Sequence, residues 1–293
     1  MTTQTKERII EKLLQFSAWV TILTTLGIIA ILAKETFSFF RKISLFDFLT
    51  DTQWTPLFTD KHFGIMPLLS GTILTSLIAV LVALPIGLSI AVFLNEYSNK
   101  SFRNAIKPLL ELLAAVPTVV YGFFALVVIT PFLQSIIPSL SGFSSLSAGI
   151  VMGIMIIPFI SSLSEDALYA VPNSLREAAY GMGSTRFQTV FKVTLPAASS
   201  GVIVSVILAI SRAVGETMIV AIAAGQQPRL TLNPLVPVET ITAYIVQVSL
   251  GDVPHGSLEY QTIFAAGITL FVFTFLLNTL SYRLKKKFME KYE

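Results

Sequence analysis

Apolar residues along this chain gather into six long runs, at roughly 13–33, 68–94, 109–131, 146–163, 200–224 and 262–282. Segments rich in charge, proline and glycine separate them. Each run approaches the ~20 residues that an α-helix needs to cross the hydrocarbon of a bilayer. The fourth is the shortest and carries Pro158, but Ser147 to Ile160 holds no charge, so it counts as a span. The first is longer than the apolar stretch of a cleaved leader and reads as a retained helix. The pattern predicts an all-α integral membrane protein of six transmembrane helices, with both ends on one side.

Composition supports this and excludes a soluble fold. Of the 293 residues, 54% are apolar and 13% charged, about half the usual charged share. Such a chain has too little polar surface to cover itself in water. It contains no cysteine, which removes disulfides, thiolate metal sites and cysteine nucleophiles.

The net charge of +3 matters less than its distribution. Lys6, Arg8, Lys12, Lys100, Arg103, Lys107, Arg176, Arg186, Lys192, Arg283, Lys285, Lys286, Lys287 and Lys291 fall on one side of a six-span arrangement. Lys34, Arg41, Lys42, Lys61 and Arg229 fall on the other. The positive-inside rule then puts both termini, and the 164–199 loop, in the cytoplasm.

Two outer loops are long. Residues 34–67 hold Phe37, Phe39, Phe40, Phe46, Phe48, Trp54, Phe58 and Phe63. That density fits either a segment lying among the headgroups or a loop packed on the bundle. Residues 225–261 carry four prolines, which leaves room for one short helix near Glu239 to Leu250. Two spans carry small residues at every fourth position. One row is Gly71, Thr75, Ala79, Ala83, Gly87 and Ala91; the other is Gly201, Ser205, Ala209, Ala213, Thr217 and Ala221. Small residues let helix backbones approach closely in lipid, so both helices are expected inside the bundle.

Arg212 and Glu216 stand in the fifth run. On one continuous helix they would share a face and meet. An unpaired charge at mid-bilayer costs at least ~3 kcal/mol, so pairing or water must offset it. One reading is an ion pair that fixes register. The other is a lining of the substrate path, with the guanidinium fork matched to an oxyanion and Glu216 holding the arginine when no anion is present. Glu111 sits about one turn from the cytoplasmic interface and reads as a solvated or bundle-facing carboxylate. Pro85, Pro117 and Pro158 predict kinks.

No phosphate-binding G-x-x-x-x-G-K-[ST] loop occurs, so ATP, if used, is bound by another subunit. His62 and His255 lack partners at metal-ligand spacing, and no metal or other cofactor is expected. No span carries a nucleophile with its base. Membrane orientation accounts for the scattered basic residues better than nucleic acid does.

The stretch from Pro172 to Pro196 is the most specific. Ser174 as N-cap and Glu177 three residues later form a potential capping box, and an ordinary interfacial helix could look like that. The full spacing, however, resembles the cytoplasmic EAA loop of ABC-importer permeases through Glu177, Ala178, Ala179, Gly183, Val193, Leu195 and Pro196. Val193 stands where that family usually has Ile. Three further runs are F-G-I-M-P-L-L-S-G-T-I-L-T-S-L-I-A (63–79), A-A-V-P-T-V-V-Y-G (114–122) and S-R-A-V-G-E-T (211–217). With P-N-S-L-R-E-A-A-Y (172–180) they resemble phosphate-importer permeases of the PstC type, over most of 63–225.

The resemblance implies a type I (MetI-like) importer bundle with a cytoplasmic coupling helix over 174–196. It implies a PstA-like sister permease, a cytoplasmic ABC ATPase dimer that receives the coupling segment, and an extracytoplasmic phosphate-binding protein. Residues 1–67 would be an N-terminal transmembrane helix and extracytoplasmic interfacial segment, 68–282 the permease core, and 283–293 a basic cytoplasmic tail. The chain itself would be non-catalytic. A permease for sulfate or molybdate is the nearest alternative, and an ion-coupled secondary transporter is a more distant one.

Overall fold

The computed structural model describes residues 3–288. The end of the basic tail, including Lys291, lies outside the described residues. Within them every regular element is helical, and the extended backbone is limited to two isolated bridges, Trp54 with Phe63 and Gly225 with Val238.

Helix α1 (Thr3–Phe40) is about 57 Å long at 1.5 Å per residue. It therefore continues well past its apolar run, into the stretch that the sequence pattern assigned to a loop. Its outer end packs on the last helix: Thr36 Oγ1 donates to the Phe264 carbonyl at 3.0 Å. A short helix α2 (Leu45–Thr50), capped by Ser44, follows. The 34–67 aromatics divide between the two readings. Phe39, Phe48, Trp54 and Phe63 are buried in a cluster of edge-to-face rings, whereas Phe37, Phe46 and Phe58 are exposed.

The centre of the bundle is the pair α3 (Met66–Val92) and α7 (Ser145–Tyr169), with α4 to α6 between them in sequence. The row of small residues on α3 is buried along its length. Close approach is reciprocal. A Cβ on Gly149 would stand 2.7 Å from Ile78, and one on Gly87 would stand 2.9 Å from Ile160. These glycines set the interaxial distance, and burying their neighbours on both helices produces the main core. Pro85 and Pro158 lie inside the two helices. A π-turn (Phe93–Tyr97) follows α3 at its C-terminal end.

The third span differs from expectation. Residues 109–114 belong to an amphipathic helix α4 (Lys100–Ala114), capped by Asn99, with no buried residue. Pro117 then interrupts the chain, and the span runs from Thr118 to Ile136 as α5 (Thr118–Phe124), a π-turn and α6 (Thr130–Ile136). Pro117 offers no N–H and disfavours helix at the residue before it, so an apolar run read as continuous is two elements. Glu111 is exposed, as expected.

After α7 come α8 (Asn173–Gly181), α9 (Arg186–Thr189), a π-turn (Val190–Thr194) and α10 (Leu195–Ala197). The chain bends by 72° into α11 (Ser199–Val214). Helix α12 (Met218–Ala223) completes the fifth apolar run, α13 (Ile241–Leu250) starts from the Thr240 cap, and α14 (Leu258–Phe288) closes the bundle. Among the described residues five helices are long and apolar enough to span, and a sixth span requires the bent pair.

Candidate functional site

Two regions carry polar groups that packing alone does not require. The first is the segment from Pro172 to Pro196. Helix α8 starts at Asn173, with Pro172 as N-cap and no side-chain cap. Ser174 is therefore the second helical residue and does not cap; the proline already fixes φ for the entry and removes one N–H that would need a partner. A capping box does form, but in α9, between Thr185 and Gln188.

The segment is also not one helix from 174 to 196. Gly183 adopts φ +84°, Gly183 N–H donates to Tyr180 O at 2.9 Å, and Ser184 N–H donates to Ala179 O at 3.0 Å. This pair of bonds is a Schellman ending, which needs a left-handed residue and so a glycine. The motif glycine thus turns a helix–turn–helix. Glu177 and Ala178 lie on its exposed face, Ala179 is half-buried, and Tyr180, Met182 and Phe187 add exposed apolar surface. Leu195 packs on a small inner core of Ala91, Leu168, Val171 and Ala198, and Pro196 lies two residues before the bend.

Beneath α8 is an ionic network that the sequence reading missed. Arg176 Nε donates to Glu96 Oε1 at 3.1 Å. Its Nη1 donates to Val171 O at 2.8 Å and to Asn173 Oδ1 at 3.1 Å, and its Nη2 to Leu168 O at 2.7 Å. The guanidinium therefore satisfies carbonyls at the end of α7 while pairing with the π-turn that ends α3. Alongside, Glu165 is 1% exposed and is held by Arg103 and by Lys107 Nζ at 2.9 Å. Lys107 also reaches Asp166 at 2.6 Å. Burial pulls the Lys107 ammonium down, but its bonds to the two carboxylates outweigh this and hold it above its ordinary value. In the sequence these cations counted only toward orientation. The available signal was acidic residues placed just at the C-terminal ends of two spans.

The second region is the break in the fifth span. Helix α11 ends at Val214 with Gly215 as its cap. Glu216 is beyond the helix, so it does not share a face with Arg212, and the expected Arg212–Glu216 pair does not form. Instead Glu216 Oε1 accepts from Met218 N–H at 3.1 Å and Ile219 N–H at 3.3 Å, capping α12. Its own carbonyl accepts from Thr242 Oγ1 at 2.6 Å. Four-residue spacing brings side chains together only while the helix persists; here the carboxylate satisfies the N–H groups that the break exposes. Arg212 is exposed, has no ion pair, and touches Met155 Sδ at 3.9 Å. It sits in the last turn of α11, where the helix dipole favours a cation. No group of metal-ligating side chains occurs among the described residues.

A bundle of apolar helices with one broken span, carrying an exposed helix–turn–helix at one end, is the build of a transporter's membrane component. The sequence profile of binding-protein-dependent transport system inner membrane components matches residues 83–290, and the chain belongs to that family. It is thus a multi-pass inner-membrane permease, a transport component rather than an enzyme. Among curated relatives, the phosphate transport system permease protein PstC of Mesorhizobium japonicum is 37% identical over 79% of this chain and 76% of its own length. PstC of Haemophilus influenzae is 33% identical over 91% and 90%. The probable ABC transporter permease protein YqgH of Bacillus subtilis is 36% identical over 80% and 75%. A bacterial ABC transporter for the polysaccharide alginate contains a chain that superposes with TM-score 0.64 at 18% identity, covering 98% of each. One in the MetNI methionine transporter gives 0.57 at 19% identity, over 78% of this chain and 95% of that one. These structures share the MetI-like fold expected from the sequence.

Proposed function

We propose that this chain is a permease subunit of an ATP-driven importer of inorganic phosphate. The observation that carries the reading is the unpaired guanidinium of Arg212 beside a broken membrane helix, in a chain whose relatives include permeases named for phosphate transport. A fixed cation with a fork of donors suits a tetrahedral oxyanion. Glu216 is engaged in holding the break, so it leaves the fork free and shapes the path beside it.

Both termini and α8 to α10 face the cytoplasm in this reading. Glu177 and Ala178 present the docking surface to a cytoplasmic ABC ATPase dimer. Ala179 and Gly183 turn the segment, and Leu195 and Pro196 anchor its base. A PstA-like subunit completes the path, and an extracytoplasmic phosphate-binding protein loads it. ATP-driven closure of the ATPases then shifts α8 and changes which side the path opens to.

The test is radiolabelled phosphate uptake by the assembled importer in proteoliposomes, with sulfate and molybdate as competing anions. Removing a charge-assisted contact of ~1.5–3 kcal/mol predicts that Arg212→Gln lowers uptake roughly 10- to 100-fold without preventing assembly. Glu177→Lys should leave the permease in the membrane and release the ATPase on purification. Normal phosphate uptake by Arg212→Gln refutes the pathway role. Equal inhibition of wild-type uptake by sulfate at the same concentration refutes the phosphate assignment.

A further inference from the structure

On the side of the bundle opposite α8 is a cleft of about 300 Å³. Trp54, Phe58, Gln226, Glu239, Tyr244 and Gln247 line it. Glu239, 2% exposed, makes no hydrogen bond and no ion pair through its carboxyl group. Its backbone is held in place: the residue precedes the Thr240 cap of α13, and its carbonyl presses on Gly71 of α3, where a Cβ would stand 2.2 Å from that oxygen. Trp54, on the same wall, packs edge-to-face on Tyr244. The cleft therefore holds a buried carboxyl group that the chain does not satisfy, which a native interior rarely tolerates.

The chemistry of the lining selects among ligands. Calcium takes six to eight oxygens, and this cleft offers one carboxylate and three side-chain amides, those of Gln226, Gln227 and Gln247. An anion would meet Glu239 directly. The neighbouring cation, Arg229, is exposed at the rim with its Nη2 on Gln227 at 2.8 Å. An organic cation finds both an opposite charge and the rings of Trp54, Phe58 and Tyr244, which attract cations electrostatically. We propose that the cleft is a socket for a primary ammonium group, carried by a lysine side chain of the solute-binding protein that docks on the outer face. The orientation and the docking partner rest on the transport reading above.

The charged and titratable groups around Glu239 allow a pH test. Tyr244 on α13 shares the cleft with Glu239, Glu259 at the start of α14 acts on Tyr244 and is held by Lys61, and Arg229 lies beside Gln227. Burial alone pushes the Glu239 carboxyl up to about 8. A cation must displace that proton, so its affinity rises about tenfold per pH unit below that value and levels off above it. An alkylammonium stays charged throughout, with a pKa near 10.4.

Trp19→Phe leaves Trp54 as the single tryptophan of the full chain. In that background, n-butylammonium should change Trp54 emission saturably, with tighter binding from pH 6.5 to 8. Potassium at equal ionic strength should not. Glu239→Gln, which keeps the shape, should abolish the change. In the assembled importer, Glu239→Gln should weaken docking of the solute-binding protein about tenfold. Acetylating that protein's lysines should weaken it similarly, and the two changes together should do no more than either alone. No saturable emission change, an equal change with potassium, an unaltered response in Glu239→Gln, or unaltered docking each overturns the proposal. Failure of wild-type phosphate uptake would instead refute the substrate reading, and the emission titration would still decide the socket.

Discussion

Arg176→Ala is the sharpest test of how α8 is joined to the membrane bundle. The substitution removes the hydrogen bonds to Glu96, Val171, Asn173 and Leu168. It also strands the Glu96 carboxylate, whose side chain is 5% exposed. Breaking a buried pair costs ~3–5 kcal/mol. The network borders an inner-surface cleft of about 520 Å³ lined by Arg176 and Glu96. Water entering there screens the loss, so about 2–3 kcal/mol remains. At 1.4 kcal/mol per factor of ten, that is roughly a 30- to 100-fold shift toward α8 detached from the ends of α3 and α7. Amide exchange over 173–181 should accelerate by that factor while the α3 and α7 cores stay protected. In proteoliposomes with all subunits, ATP hydrolysis should persist while phosphate moved per ATP falls at least tenfold. Arg176→Lys should recover part of the loss. Glu96→Gln, which keeps an acceptor, should be milder than the alanine. Wild-type transport per ATP in Arg176→Ala would refute the role of this arginine as the joint. If that variant does not assemble, the lysine and glutamine variants carry the same ordering.

Further outcomes follow from packing and titration. Gly153→Ala places a Cβ 2.8 Å from the Ala79 carbonyl oxygen and 2.9 Å from Val82 Cβ. Overpacking at a backbone contact costs ~1–3 kcal/mol, so thermal unfolding in detergent should fall by about 2–4 °C per kcal/mol. Gly27→Ala, with nothing within 4 Å, should leave it unchanged, and equal midpoints for both would contradict the close-approach account. At the outer face, the hydrogen bond from His62 to Asp51 at 2.9 Å raises the imidazole above its ordinary 6.5, against slight desolvation. A raised folded value means the pair contributes fully below pH 6.5 and loses its contribution as pH rises through the folded value. Amide exchange of residues 51–63, corrected for its intrinsic rate, should therefore speed up above pH 6.5. His62→Gln should flatten the profile, and an unflattened profile would exclude the pair as its cause.

Hydropathy determined most of this architecture by itself. In lipid every backbone group must bond within its own segment, so a run of ~20 apolar residues has few options besides a helix. That constraint made the spans legible, together with the small-residue row of α3, which is buried and packs close to α7 at Gly87. Motif spacing likewise made Glu177 to Pro196 visible, although the physical role of Gly183 appears only as a left-handed turn. Tertiary structure decided where helices stop. A window average treats 109–131 and 200–224 as continuous, because Pro117 and Gly215 hardly change hydropathy while they end helices. The fifth span can break at Glu216 because a distant residue, Thr242, bonds the freed carbonyl, and no local pattern encodes that partner. The same holds for Arg176, Glu96, Arg103 and Glu165. As sequence they were interfacial charges, and three-dimensional proximity turned them into the joint between α8 and the bundle.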